Sequence, residues 1–127
     1  MRYLGIDFGT KRIGLALSNE EGTFAFPHSV VPNSSQALVV IEKVVRDEKV
    51  AAVVVGESFD YKGVANPVME QITRFKNALE KKLSLPVFFE REGMSTREAS
   101  HLQGEHEKID ASAAAIILKS YLDKQRA

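Results

Sequence analysis

The stretch that decides the fold is Tyr3-Leu4-Gly5-Ile6-Asp7-Phe8-Gly9-Thr10-Lys11-Arg12-Ile13-Gly14-Leu15-Ala16-Leu17-Ser18. Residues 3–8 alternate in character and stop at Gly9-Thr10, which predicts a strand followed by a tight turn. Arg12 to Ser18 is a second apolar-rich run, so the two segments read as a hairpin. Asn19 to Gly22 supplies turn chemistry, and Thr23 to Val31 reads as a third strand interrupted by Pro27, which has no N–H to give a ladder. Three consecutive antiparallel strands are expected.

Downstream the period changes. Pro32-Asn33-Ser34-Ser35 resembles a helix start, with Gln36 placed to complete a capping-box-like arrangement, and Leu38, Ile41, Val44 and Val45 have helical spacing. Val50 to Val55 is an unbroken β-branched run ending at Gly56, as expected of a central strand buried on both faces. After a polar loop from Glu57 to Gly63, Val68, Ile72, Phe75, Leu79 and Leu83 predict an amphipathic helix, and Pro86 to Phe89 another strand. Ser95-Thr96-Arg97-Glu98 is a second capping-box match, which accounts for Ser95 and Thr96 without a nucleophilic role. Asp110 directly precedes an alanine-rich helix carrying Ile116, Ile117, Leu118, Tyr121 and Leu122. With no linker, repeat or low-complexity stretch, residues 1–127 read as one α/β domain. The element order matches the RNase H-like fold, a central mixed five-stranded sheet with three antiparallel strands then two parallel, flanked by helices.

Composition narrows the function classes. The 127 residues contain no cysteine, which excludes disulfides and thiolate metal sites and is compatible with a reducing cytoplasm. No apolar run approaches membrane-spanning length, and an acidic residue arrives too early for a signal peptide, so a cytoplasmic protein without membrane attachment is expected. Seventeen Lys plus Arg balance seventeen Asp plus Glu. No global field attracts a polyanion, and any nucleic-acid affinity must come from local basic residues such as Lys11 and Arg12, which would contact phosphates without reading sequence.

The chemistry rests on carboxylates at element ends. Asp7 ends the first strand, where it can project into a cleft or serve only as turn chemistry. Glu57 follows the buried strand, and if that strand lies beside the first, the two acids emerge near each other at the carboxyl edge that ligands favour. Glu92 follows the next strand. Asp110 taken alone reads as a helix N-cap. Together, hard oxygen donors from distant positions suit Mg²⁺ or Mn²⁺, and two such ions about 4 Å apart support in-line displacement at phosphorus. His28, His101 and His106 lack metal-ligand spacing, though His101 follows Glu92 closely enough to test.

Over nearly its whole length the chain resembles the YqgF family, also called RuvX, of candidate Holliday junction resolvases and pre-16S rRNA nucleases. The resemblance is carried by residues 7–16, Val53-Val54-Val55-Gly56, Ser95-Thr96-Arg97-Glu98-Ala99, and Ile109-Asp110 followed by Ala113-Ala114 and Leu118. It implies divalent-metal phosphodiester hydrolysis, with Asp7, Glu92 and Asp110 at the family's catalytic positions, and it moves Asp110 from cap toward ligand. The chain departs from the family pattern in two places. Arg91-Glu92-Gly93 keeps only the middle acid of the usual Asp-Glu-Arg, and Gly56 is followed by Glu57-Ser58 instead of Leu-Pro. An acid at that strand end is closer to RuvC-type resolvases, so Glu57 is a candidate substitute for part of the altered motif.

The expectation is therefore a metal-dependent nuclease acting on precursor rRNA or branched DNA through Asp7, Glu57, Glu92 and Asp110, with a homodimer as a family-level expectation. Two alternatives stand beside it. One is a degenerate member that binds nucleic acid without cutting it. The other is an actin-like ATP site built on Asp7-Phe8-Gly9-Thr10, which the length of the chain disfavours because such sites close two domains around the nucleotide.

Overall fold

The computed structural model describes residues 1–57, 68–91 and 106–126, with side chains from residue 111 to residue 125 in the last segment. Five strands form one sheet: β1 (Arg2–Phe8), β2 (Arg12–Ser18), β3 (Ala25–Pro32), β4 (Val50–Glu57) and β5 (Val87–Arg91). Their spatial order is β3-β2-β1-β4-β5. The first three pair antiparallel, whereas β4 runs parallel to both β1 and β5. Helices α1 (Ala37–Asp47), α2 (Met69–Leu83) and α3 (His106–Arg126) flank the sheet.

Strand alternation sorts the sheet into two unlike faces. Leu4, Ile6, Ile13, Leu15, Leu17, Val53 and Val55 project to one face, where Ile41 of α1 and Ile72 and Leu79 of α2 complete a buried aliphatic core. The intervening positions are small or polar. Ala16 and Val54 meet Ala114, Ile117, Leu118 and Leu122 of α3. A methyl group at Gly5 would lie 2.7 Å from Leu118 Cβ and 2.9 Å from the Ala114 carbonyl, so glycine is what lets α3 lie directly on β1. The continuous Val50–Val55 run is explained by its place between β1 and β5 with helices on both sides.

Several boundaries differ from expectation. The third strand begins at Ala25, and its register against β2 shifts where Leu15 pairs with Ser29 but Ala16 with Pro27. His28 is thus the extra residue of a bulge on an edge strand, which is where Pro27 is tolerated. Gln36 makes no side-chain cap; Ser34 Oγ accepts the Gln36 N–H at 3.2 Å and its carbonyl accepts the Ala37 N–H at 3.1 Å. The expected capping box is therefore replaced by a serine-led turn. The fourth strand continues through Glu57, so Glu57 belongs to the ladder and not to the loop. Finally, α3 begins at His106, which places Asp110 inside the helix and removes its reading as the N-cap. The helix expected after Ser95 lies outside the described residues.

Candidate active site

The parallel pair β1–β4 directs two acids to one edge of the sheet. Asp7 and Glu57 are both half-buried at the carboxyl ends of their strands. Ile6 is the partner of Val55, and both side chains enter the aliphatic core. One residue further, Asp7 takes the α3 face with Gly5 and Tyr3. Phe8 returns to the aliphatic face, where its ring lies 5.0 Å from that of Phe75 in α2. Glu57, two residues beyond Val55, shares the face of Val55 and stands opposite Arg91 in the β4–β5 ladder. The acids therefore share a sheet edge, as the sequence predicts, but leave the pleat on opposite faces.

The backbone of α3 runs along β1 toward the same edge. The Tyr3 ring lies 5.8 Å from that of Tyr121, and Gly5 lies against Leu118 and Ala114. Two residues of strand advance about 6.7 Å, which matches between four and five residues of helix. Continuing that progression, the backbone turn of α3 that carries Asp110 and Ala111 comes level with Asp7. Glu92 and His101 lie outside the described residues. Among the described residues, no group of three His, Asp or Glu side chains is close enough together to hold a metal ion.

Basic residues follow Asp7 in the next turn of the chain. Lys11 is exposed in the β1–β2 turn, and Arg12 is half-buried at the start of β2. The turn is tight: a methyl group at Gly9 would lie 2.4 Å from the Arg12 carbonyl, which makes glycine obligatory there. Asn33, read from sequence only as part of a helix start, donates its side-chain amide to the Gly9 carbonyl at 2.8 Å. An Asx residue just before a helix is the signal that could have drawn attention to it.

The sequence also passed over Glu90. It is 4% exposed on β5 and accepts hydrogen bonds from Ser120 Oγ at 2.8 Å and Lys124 Nζ at 2.7 Å. This charge-assisted pair ties β5 to α3 and settles the buried carboxylate. The opposite edge of the sheet is organised differently. There Arg2 pairs with Glu48 at 3.2 Å and approaches Glu20 at 4.0 Å, beside an open depression of about 460 Å³ remote from the acid edge. No helix among the described residues is long and apolar enough to cross a membrane.

Known proteins carry the same plan. Residues 1–124 match the model of the family described as RuvX, Holliday junction resolvase. A candidate pre-16S rRNA nuclease of Caldanaerobacter subterraneus subsp. tengcongensis is 35% identical, with 99% of each chain covered. Another, of Maridesulfovibrio salexigens, is 33% identical over 96% of this chain and 98% of its own. Among solved structures, T. thermophilus RuvC in complex with Holliday junction substrate superposes with a TM-score of 0.63 at 20% identity, covering 100% of this chain and 97% of that one. The fowlpox virus Holliday junction resolvase gives 0.59 at 12% identity, covering 98% and 99%. At these identities the two structures bear on the fold, which is RNase H-like.

Proposed function

Because the chain belongs to the RuvX family, we propose that it is a metal-dependent nuclease that hydrolyses phosphodiester bonds of a structured nucleic acid, either precursor 16S rRNA near its 5′ end or branched DNA. The observation that carries this reading is the position of Asp7: at the carboxyl end of the central strand, on the α3 face, level with the helix turn bearing Asp110. An acid at the ligand-binding edge of an α/β sheet, on the face along which α3 runs, is poorly explained by turn chemistry alone.

The donor set fits a hard divalent cation, since it offers carboxylate oxygens and no sulfur. Asp7 and Asp110, completed by Glu92 or Glu57, would hold Mg²⁺ or Mn²⁺. Bound there, such an ion supplies Lewis acidity toward a phosphoryl oxygen and a more acidic water. The chain's own residues do the rest. Asp7 is half-buried at the end of β1, so its carboxylate would need less reorganisation than a fully solvated one when substrate arrives. Lys11 and Arg12 neutralise backbone phosphates and set the strand's position without reading bases. Glu57 reaches the same edge from the aliphatic face, which makes it the weaker partner of Asp7 and places Glu92 ahead of it.

The test is cleavage of matched precursor-rRNA, single-stranded RNA and four-way DNA junction substrates in Mg²⁺, Mn²⁺ or EDTA. Asp7→Asn is expected to lower the metal-dependent rate about 100-fold or more, the scale on which loss of a preorganised electrostatic group acts. Glu57→Gln is expected to lower it less. Full cutting by folded Asp7→Asn would sink the assignment. Binding without cutting in every metal would instead identify a degenerate nucleic-acid-binding protein.

A further inference from the structure

The turn that follows Asp7 is clamped by a residue 24 positions away in the chain. Asn33 lies just beyond β3, and its backbone N–H donates to the Lys11 carbonyl at 2.9 Å, extending the β2–β3 ladder one step past the Arg12–Pro32 pair. Its side-chain Nδ2 donates to the Gly9 carbonyl at 2.8 Å. A carbonyl can only accept, so this contact fixes which end of the Asn33 amide faces the turn. The turn is also tight at Gly9 itself, where a Cβ would lie 2.4 Å from the Arg12 carbonyl.

This clamp determines what the turn presents outward. In a trans peptide the N–H points opposite to the C=O. With the Gly9 carbonyl directed at Asn33, the Thr10 N–H is directed away from it, and both Thr10 and Lys11 are exposed. A backbone N–H beside a lysine, one turn from Asp7, is a donor set for a phosphate oxygen. We propose that Asn33 is a positioning residue for substrate binding: it holds the Gly9–Lys11 turn so that the Thr10 N–H and the Lys11 ammonium engage one phosphate of the strand that passes Asp7. The proposal rests on the nucleic-acid reading of this edge. It adds a residue that touches neither substrate nor metal.

The experiment is binding of a fluorescein-labelled four-way DNA junction and of a fluorescein-labelled precursor-16S rRNA 5′ fragment across a salt series. Asn33→Ala and Asn33→Asp are compared with their parent in the Asp7→Asn background, so that cleavage does not intervene. Each substitution removes the donor to Gly9, and only the second adds charge. Both are expected to weaken binding about 2- to 10-fold, the equivalent of one hydrogen bond. Both should also reduce the steepness of log affinity against log salt by about one phosphate contact. Lys11→Ala should cost less in either variant than in the parent, and in a cleaving protein Asn33→Ala should raise KM with kcat nearly unchanged. A merely structural Asn33 would lower the melting temperature and leave the affinity and salt slope of the folded protein alone, and that result overturns the proposal. If the Asp7 protein binds these substrates but cuts neither, the nuclease reading fails while the salt slopes still decide the role of Asn33. If it cuts and the Asn33 variants bind like their parent, only the Asn33 proposal fails. Absence of binding by the parent to both the junction and the precursor-rRNA fragment at any salt overturns both.

Discussion

The two faces of the sheet solve the same packing problem by different means. On the α1–α2 face, large aliphatic side chains fill the space: Leu4, Ile6, Ile13 and Leu15 are fully buried there, with Ile41 and Leu79 from the helices. On the α3 face, side chains shrink to Gly5, Ala16 and Ala114, and the helix backbone comes to the strand. The buried polar side chains among the described residues, Ser18 and Glu90, lie on this second side with Asp7 at its edge, whereas Glu57 is the half-buried acid at the edge of the aliphatic face. Ser18 Oγ accepts the Tyr3 N–H at 2.8 Å, and Glu90 accepts Ser120 and Lys124, so each of these two polar groups is satisfied where it is buried. The difference assigns tasks. The aliphatic face supplies stability, and the close-packed face sets the distance between β1 and α3, hence between Asp7 and the turn of Asp110.

The largest stability loss is therefore expected on the face farther from the chemistry. Leu15→Ala empties a fully buried site between β2 and the two helices and should cost about 2–5 kcal/mol, since transfer and cavity terms add. Denaturant midpoints measure this directly. The comparison predicts that whatever fraction of the variant remains folded cuts at a near-normal rate. A Leu15→Ala protein that is stable but inactive would break the division of tasks.

The complementary change is Gly5→Ala. Its methyl must push Leu118 and the α3 backbone outward, an overpacking cost of about 1–3 kcal/mol. This is less than the Leu15 cavity, yet the effect on activity should be greater, because the displaced helix carries Asp110. The rate should fall at least tenfold under conditions where circular dichroism shows the protein fully folded. Equal losses of stability and activity in Gly5→Ala and Leu15→Ala would show that α3 is ordinary packing.

The sequence carries the architecture well because its signals are periodic. Alternation at Leu4-Ile6-Phe8, the β-branched run 50–55 and the spacing of Ile72, Phe75 and Leu79 each arise from burial, and burial is what the fold enforces. Asp7 and Glu57 were legible as strand-end acids for the same reason. Their opposite faces were not. That distinction depends on the parallel register of Ile6 with Val55, and a one-residue slip would reverse it without altering either strand's pattern. Asn33 and Glu90 were missed on other grounds. Asn33 acts across 24 residues through a hydrogen bond, and Glu90 interrupts an apolar strand for a partner on α3, so neither leaves a trace in local periodicity. Asp110 taken alone reads as a cap because the helix signal is strongest after it, whereas the helix starts a turn earlier, at His106.

The smallest expected effect tests the polar character of the α3 face by pH. Tyr121 lies 5.8 Å from the Tyr3 ring and stacks on Phe88 at 5.6 Å. Burial raises its phenol above the ordinary value of 10.0, and the neighbouring Tyr3 and Glu90 charges raise it further. The sign follows from which form the fold prefers. The neutral phenol is favoured in the folded protein, so an unfolded chain ionises first as pH rises past 10.0. Stability attributable to Tyr121 is then fully present below that value and is lost as pH climbs through the folded one. Tyr121→Phe should change stability by no more than about 1 kcal/mol at neutral pH, the scale of a single net hydrogen bond or ring contact, while making the alkaline decline shallower. Among the described residues the aliphatic face carries no tyrosine, so the deficit of Leu15→Ala should stay constant over the same range. If Tyr121→Phe and the parent lose stability in parallel above pH 10.0, the ionisation of this face does not govern the alkaline limit. The contrast between the faces would then be one of packing alone.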